Sequence, residues 1–141
     1  MKLILVIFLF SVFSYSQVSQ TKSDHELKDL SSDQALLNTQ NILRDKKQRD
    51  QIIQTDSQAK GADDNLTQMF GEGAMKENVY DTSAQVIKFV SEKNSGDSAK
   101  MQAEILKALT DPASFMKSLP PDIQKRIREL ASDYEAKKKN P

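Results

Sequence analysis

Cysteine and tryptophan are missing from these 141 residues, and histidine occurs once. Without cysteine there is no disulfide framework, thiolate metal site, iron–sulfur cluster, thiol nucleophile or lipid-bearing cysteine. A lone histidine excludes a multi-histidine metal centre. His25 stands between Asp24 and Glu26, and neighbours on a helix diverge by about 100° each, so the three do not converge on one ion. His25 reads as a solvated side chain, which leaves a serine triad without its base. Proline and glycine are scarce, four of each, and 20 basic side chains balance 20 acidic ones. A chain with that balance lacks the positive excess that phosphate binding draws on.

Long apolar runs are equally scarce, with one exception at the very start. Met1-Lys2 supplies a minimal positive region, Leu3 to Phe13 is apolar except for Ser11, and Ser14-Tyr15-Ser16 places small residues where a signal peptidase reads them. Residues 1–16 are therefore expected to be a cleaved signal peptide, cut between Ser16 and Gln17. A membrane span needs about 20 apolar residues, and this run stops well short of that. No later segment is apolar enough to span a bilayer, so the expectation is an exported protein, periplasmic or secreted, with no membrane span after cleavage.

From Gln17 onward, Ile, Val, Leu, Met and Phe make up 28 of 125 residues, just above the roughly one-fifth level below which chains stay disordered. Residues 17–22 carry one large apolar side chain and are expected to be flexible. Residues 23–60 contain neither Gly nor Pro, and Ser23 with Glu26 forms a capping box. The expectation is one long polar helix, with Ser31-Ser32-Asp33 offering a second cap. Its large apolar residues are Leu27, Leu30, Leu36, Leu37, Ile42, Leu43, Ile52 and Ile53. The heptad seam of Leu30 and Leu37 fails at Arg44, so a coiled coil is only weakly encoded.

Residues 61–80 hold three of the four glycines and read as a connector. Gly61 closes the long helix, Asp63 or Asp64 caps a short helix through Phe70, and Gly71-Glu72-Gly73 breaks it. Leu66, Met69 and Phe70 are candidates to dock on a core. Residues 81–136 then read as a small bundle of about four short helices. Thr82 and Gln85 make a capping box before Val86, Ile87, Phe89 and Val90. Asp97 or Ser98 caps a helix carrying Met101, Ile105, Leu106 and Leu109. Asp111-Pro112 opens a third with Phe115, Met116 and Leu119, and Pro120-Pro121 starts a fourth faced by Ile123, Ile127, Leu130, Ala131 and Tyr134. Residues 137–141 form a basic tail. No stretch alternates as a strand would, so the fold class is all-α.

Few residues are arranged for chemistry. Asp63-Asp64-Asn65 fails as a calcium loop, because Gln68 stands where the loop needs Gly and Ala74 where it needs Glu. Gly71-Glu72-Gly73 lacks the remainder of a phosphate loop. No catalytic residue, cofactor or metal is expected. Lys125, Arg128, Lys137, Lys138 and Lys139 are candidate anion contacts, although the excess of charge is too small for nucleic acid. The leading expectation is a non-enzymatic interaction or adaptor module. Residues 23–60 would contact another envelope protein or a second copy through the eight apolar residues named above. The alternative is a small exported hydrolase acting on cell-wall glycan or peptide, using carboxylates such as Glu72, Glu77 or Asp81.

Overall fold

The computed structural model describes residues 32–139, which form seven helices and no strand: α1 (Ser32–Arg44), α2 (Lys46–Thr55), α3 (Ser57–Phe70), α4 (Ala74–Lys93), α5 (Ser98–Thr110), α6 (Pro112–Ser118) and α7 (Pro121–Lys139). The all-α class read from the sequence is what the described residues adopt. The expected signal peptide, the expectation of flexibility for residues 17–22 and the expected Ser23 cap, with His25, Leu27 and Leu30, all fall outside them.

Helix α4 is the axis on which the others pack; α1, α3, α5 and α7 all contact it. Its buried residues include Lys76, Val79, Tyr80, Thr82, Ser83, Ala84, Val86, Ile87, Val90 and Ser91. At about 100° per residue these cover more than half of the helix circumference, the pattern of a central rather than a surface helix. The hydroxyls that this burial traps are satisfied within the helix. Thr82 donates to the Asn78 carbonyl at 2.7 Å and Ser83 to that of Val79 at 2.9 Å.

Over residues 32–60, the described part of the long helix expected for 23–60, one continuous helix is not what forms. The segment divides at Asp45 and Asp56 into α1, α2 and α3, each joint a single extended residue. The cause is N-capping. One carboxylate oxygen of Asp45 accepts the Lys47 and Gln48 amides at 2.9 and 3.2 Å, and one of Asp56 accepts those of Gln58 and Ala59 at 2.9 and 2.8 Å. Aspartate bonded in this way stabilises a helix start by about 1 kcal/mol. Bending also turns apolar residues from successive helices onto one core. That core runs without a gap from Ile42 and Leu43 through Ala59, Leu66 and Phe70 to Val79, Ile87, Phe115, Ile127 and Leu130. The N-terminal segment is therefore built into the bundle rather than lying on it.

Three further boundaries differ from the sequence reading. Gly61 does not end a helix; α3 continues through it to Phe70 and stops at Gly71, whose φ of 74° with ψ of 172° is a combination essentially reserved for glycine. Residues 61–80 are thus the end of one helix and the start of another, with a short turn between. Thr82 does not cap a helix, because α4 already runs from Ala74 and buries Val79 and Tyr80. Lys137 to Lys139 are the last turn of α7 rather than a tail.

Several short-range expectations hold. Asp97 caps α5, Asp111 caps α6 with Pro112 behind it, and α7 starts at Pro121 and buries Ile123, Ile127, Leu130 and Ala131. Leu66 and Phe70 are buried, with Met69 packed against the same cluster. Tyr134 adds a tilted ring contact on Phe70, centroids 5.6 Å apart. Leu106 departs from its helix-mates. It is 61% exposed, while Ile105 and Ala108 face inward.

Candidate functional site

Of the eight apolar residues expected to meet a partner, the five whose side chains are described do not form one surface. Ile42 and Leu43 are core residues, at 9% and 1% exposure. They are thereby removed from the candidate contact set, because α1 turns this face onto α4. Ile52 packs partly buried against the core, and Ile53 is half-buried. Leu27 and Leu30, with the side chain of Leu36, lie outside the described residues. Leu37 is 55% exposed. It shares the outer side of α1 with exposed Asn41 and Arg44, while Thr39, Gln40, Ile42 and Leu43 make up the inner side.

The five candidate anion contacts do not converge either. Lys125 pairs with Glu129 at 3.8 Å, and Arg128 donates to Gln124 at 2.6 Å. Lys137 reaches back over the turn at Gly71, where an added Cβ would lie 2.7 Å from its ammonium nitrogen. Lys138 and Lys139 are exposed. By helical spacing Lys125, Arg128 and Lys139 share a sector of roughly 60°, and Lys137 and Lys138 point elsewhere.

The structure instead assembles a polar cluster inside the bundle where α2, α3 and α4 meet. Arg49 is 2% exposed. Its Nη1 donates to the Leu43 carbonyl at 2.7 Å, its Nη2 lies 2.6 and 2.5 Å from the two carboxylate oxygens of Glu77, and its guanidinium carbon sits 4.2 Å above the centre of the Tyr80 ring. Lys76, at 6% exposure, spends its three ammonium hydrogens on Asp63 at 2.8 Å, Thr67 at 2.8 Å and Glu72 at 3.0 Å. Tyr80 donates to the other oxygen of Asp63 at 2.6 Å. One chain of contacts therefore runs from the α1 terminus through Arg49 and Tyr80 to Asp63, Lys76 and Glu72.

Electrostatics follow from that geometry. Burial works against the charge on Lys76, but hydrogen bonds to Asp63 and Glu72 outweigh it, and its pKa is raised. Glu72 is lowered, first by the hydrogen bond from Lys76 and then by that from Thr67. Among the described residues no buried side-chain nitrogen or oxygen lacks a partner. A fully satisfied network of this kind rigidifies and specifies a packing arrangement.

The carboxylates considered for hydrolysis are all held by cations. Glu72 is bonded to Lys76 and Glu77 to Arg49. Asp81 lies between Arg126, at 2.8 Å, and Arg44, at 3.5 Å. A general acid needs a carboxyl whose pKa is raised, and that of Glu72 is moved the other way. Among the described residues no group of three or more His, Cys, Asp or Glu side chains is placed to hold a metal ion, and no helix is long and apolar enough to cross a membrane.

Sequence reasoning missed Arg49, Lys76 and Tyr80. A signal was present: Lys76, Val79, Tyr80 and Ser83 fall at i, i+3, i+4 and i+7, so Lys76 occupies an inward-facing stripe where a charge demands a buried counter-charge. Comparison with family models, with curated proteins and with solved structures returns no match to this chain.

Proposed function

We propose that this chain is an exported, non-enzymatic binding module that meets another envelope or extracellular protein through the outer side of its first helix. The observation that carries the reading is Leu37. It stands 55% exposed on a helix whose opposite side, with Ile42 and Leu43, is anchored in the core. A large aliphatic side chain held in the open on a helix packed into the core is a ready anchor for a partner. Leu30 stands seven residues earlier in the sequence, the spacing that continues one apolar edge along a helix. Export rests on the basic, apolar and small-residue succession of residues 1–16.

The test has two separate arms. The mass of the protein recovered from the cells that make it reports export: a chain starting at Gln17 supports it, and one retaining Met1 removes it. A photo-crosslinking amino acid at position 37, compared with one at exposed Lys88 on α4, reports binding. A discrete adduct from 37 that is absent from 88, and lost when Leu30 is also changed to Glu, supports the reading. The same pattern from both positions refutes it.

A further inference from the structure

Two caps meet at the joint between α1 and α2. In an uninterrupted helix the Leu43 carbonyl would accept the Lys47 amide. Here that carbonyl accepts Arg49 Nη1 at 2.7 Å, and the Lys47 amide turns to the Asp45 carboxylate at 2.9 Å. Helical bonds continue on either side, from the Asp45 amide to the Asn41 carbonyl at 2.8 Å and from the Arg49 amide to the Asp45 carbonyl at 3.0 Å. The Asp45 carboxylate takes the Lys47 and Gln48 amides and Arg49 takes the Leu43 carbonyl in place of helical partners, and no Gly or Pro in residues 32–55 enforces the bend. Three contacts hold it shut: Ile42 and Leu43 against the core, Arg44 on Asp81, and Arg49 on Glu77.

Straightening residues 32–55 would give one helix about 36 Å long and carry α1 away from α4. The groove left on α4 has a shape and chemistry that α1 itself satisfies, so a second copy of α1 is the occupant that fits. We propose that the chain forms a dimer by exchanging α1, with Asp45 as the hinge and each α1 seated on the α4 of the other copy. The contacts of α1 with α4 are regained across the two copies, while straightening gives up the bond from Arg49 to the Leu43 carbonyl and returns that carbonyl to Lys47, so concentration and the bending preference at Asp45 set the balance. The exchange uses the inner face of α1 and leaves Leu37 outside, so it stands apart from partner binding at Leu37.

The natural absence of cysteine makes the test direct. Two full-length single-cysteine variants, R44C and D81C, replace the ends of an exposed ion pair joining α1 to α4. They are mixed, refolded together at high and at low concentration, and treated with a short thiol–thiol cross-linker. An exchanged dimer gives a 44–81 link between chains at high concentration, which fades when refolding is dilute. Light scattering is then read on two hinge variants. Asp45→Ala removes the cap and favours continuation of the helix, while Asp45→Gly keeps a break. The dimer dissociation constant is expected to fall about tenfold or more in D45A relative to D45G. A D45A dimer no tighter than that of D45G, or a dimer without the interchain 44–81 link, overturns the proposal. Should D45A fail to fold, Glu77→Gln, which loosens Arg49 without touching the hinge residue, takes its place. A monomer at every concentration in E77Q and in the refolded wild type overturns it equally.

Discussion

Removing the Arg49 side chain offers the sharpest test of how α2 is locked to α4. In Arg49→Ala the Leu43 carbonyl loses a buried donor that sat 2.7 Å away, and an orphaned buried acceptor costs about 1–3 kcal/mol. The guanidinium over the Tyr80 ring at 4.2 Å adds about 1–2 kcal/mol where it is desolvated. The pair with Glu77 adds less than its short distances suggest. The Glu77 side chain is 43% exposed, so once released it regains water, and screening holds this contribution to about 1 kcal/mol or below. Together with the void left by a long side chain, the expected loss is about 3–5 kcal/mol, a large part of the roughly 5–15 kcal/mol that stabilises a domain. Arg49→Lys keeps the charge but not the planar fork that reaches Leu43, Glu77 and Tyr80 together, so it should fall between alanine and wild type. Urea unfolding followed by circular dichroism, with equal slopes for all variants, gives the differences directly. A loss below about 1 kcal/mol for R49A, or a lysine variant as stable as wild type, would refute the reasoning.

Backbone geometry and charge each fix a further outcome. Gly71 has φ 74° and ψ 172°, a region essentially reserved for glycine, so Gly71→Ala should cost about 1–3 kcal/mol in thermal unfolding. The control, Gly61→Ala, lies inside α3 where an added Cβ meets nothing within 4 Å, and it should stabilise by about 1 kcal/mol. Stability should also fall on both sides of a neutral plateau. Glu72, Glu104, Asp97 and Asp111 have lowered pKa values, so the unfolded chain binds more protons in acid. Their contribution is present above the unfolded carboxylate values of about 4 and is lost as pH drops through the lower folded values. Lys76 is raised, so its contribution is complete below about pH 10 and disappears as pH rises through its folded value. A denaturant midpoint that stays flat from neutral pH to below pH 3 would contradict the carboxylate assignment.

Much of the architecture was legible wherever a short-range rule decides it. Asp111-Pro112 and Pro121 start helices because a missing amide costs nothing in a first turn. Ile123, Ile127, Leu130 and Ala131 face inward because their spacing leaves α7 one apolar side. Residues 23–60 were misjudged on the absence of Gly and Pro, yet Asp45 with Gln48 three residues on is itself a capping pattern; Gln48 Nε2 reaches back to Asp45 at 3.2 Å. Caps were weighed at Ser23 and at Ser31-Ser32-Asp33 but not at Asp45 or Asp56, and both joints were lost. The partner-contact residues failed for a different reason. An apolar stripe in sequence states that something covers it, but not whether that cover is another chain or α4 of the same one.

That ambiguity ends at the polar cluster, which joins residues far apart in sequence, so that beyond the inward stripe holding Lys76 it had no local signature. Arg49 and Glu77 are 28 positions apart, Asp63 and Tyr80 17. Each side chain read alone suggests solvent. Lys76 becomes a core residue only because Asp63, Thr67 and Glu72 surround it, and Arg49 only because the Leu43 carbonyl is freed by the bend at Asp45. The bend and the cluster therefore depend on each other: a straight helix would return Leu43 to Lys47 and leave Arg49 with Glu77 alone. A hydrophobic core of this composition tolerates many arrangements of seven short helices. A guanidinium that must find a particular carbonyl, carboxylate and ring at once tolerates few, and within a single copy this requirement favours the bent arrangement of α1 and α2 over the straight one.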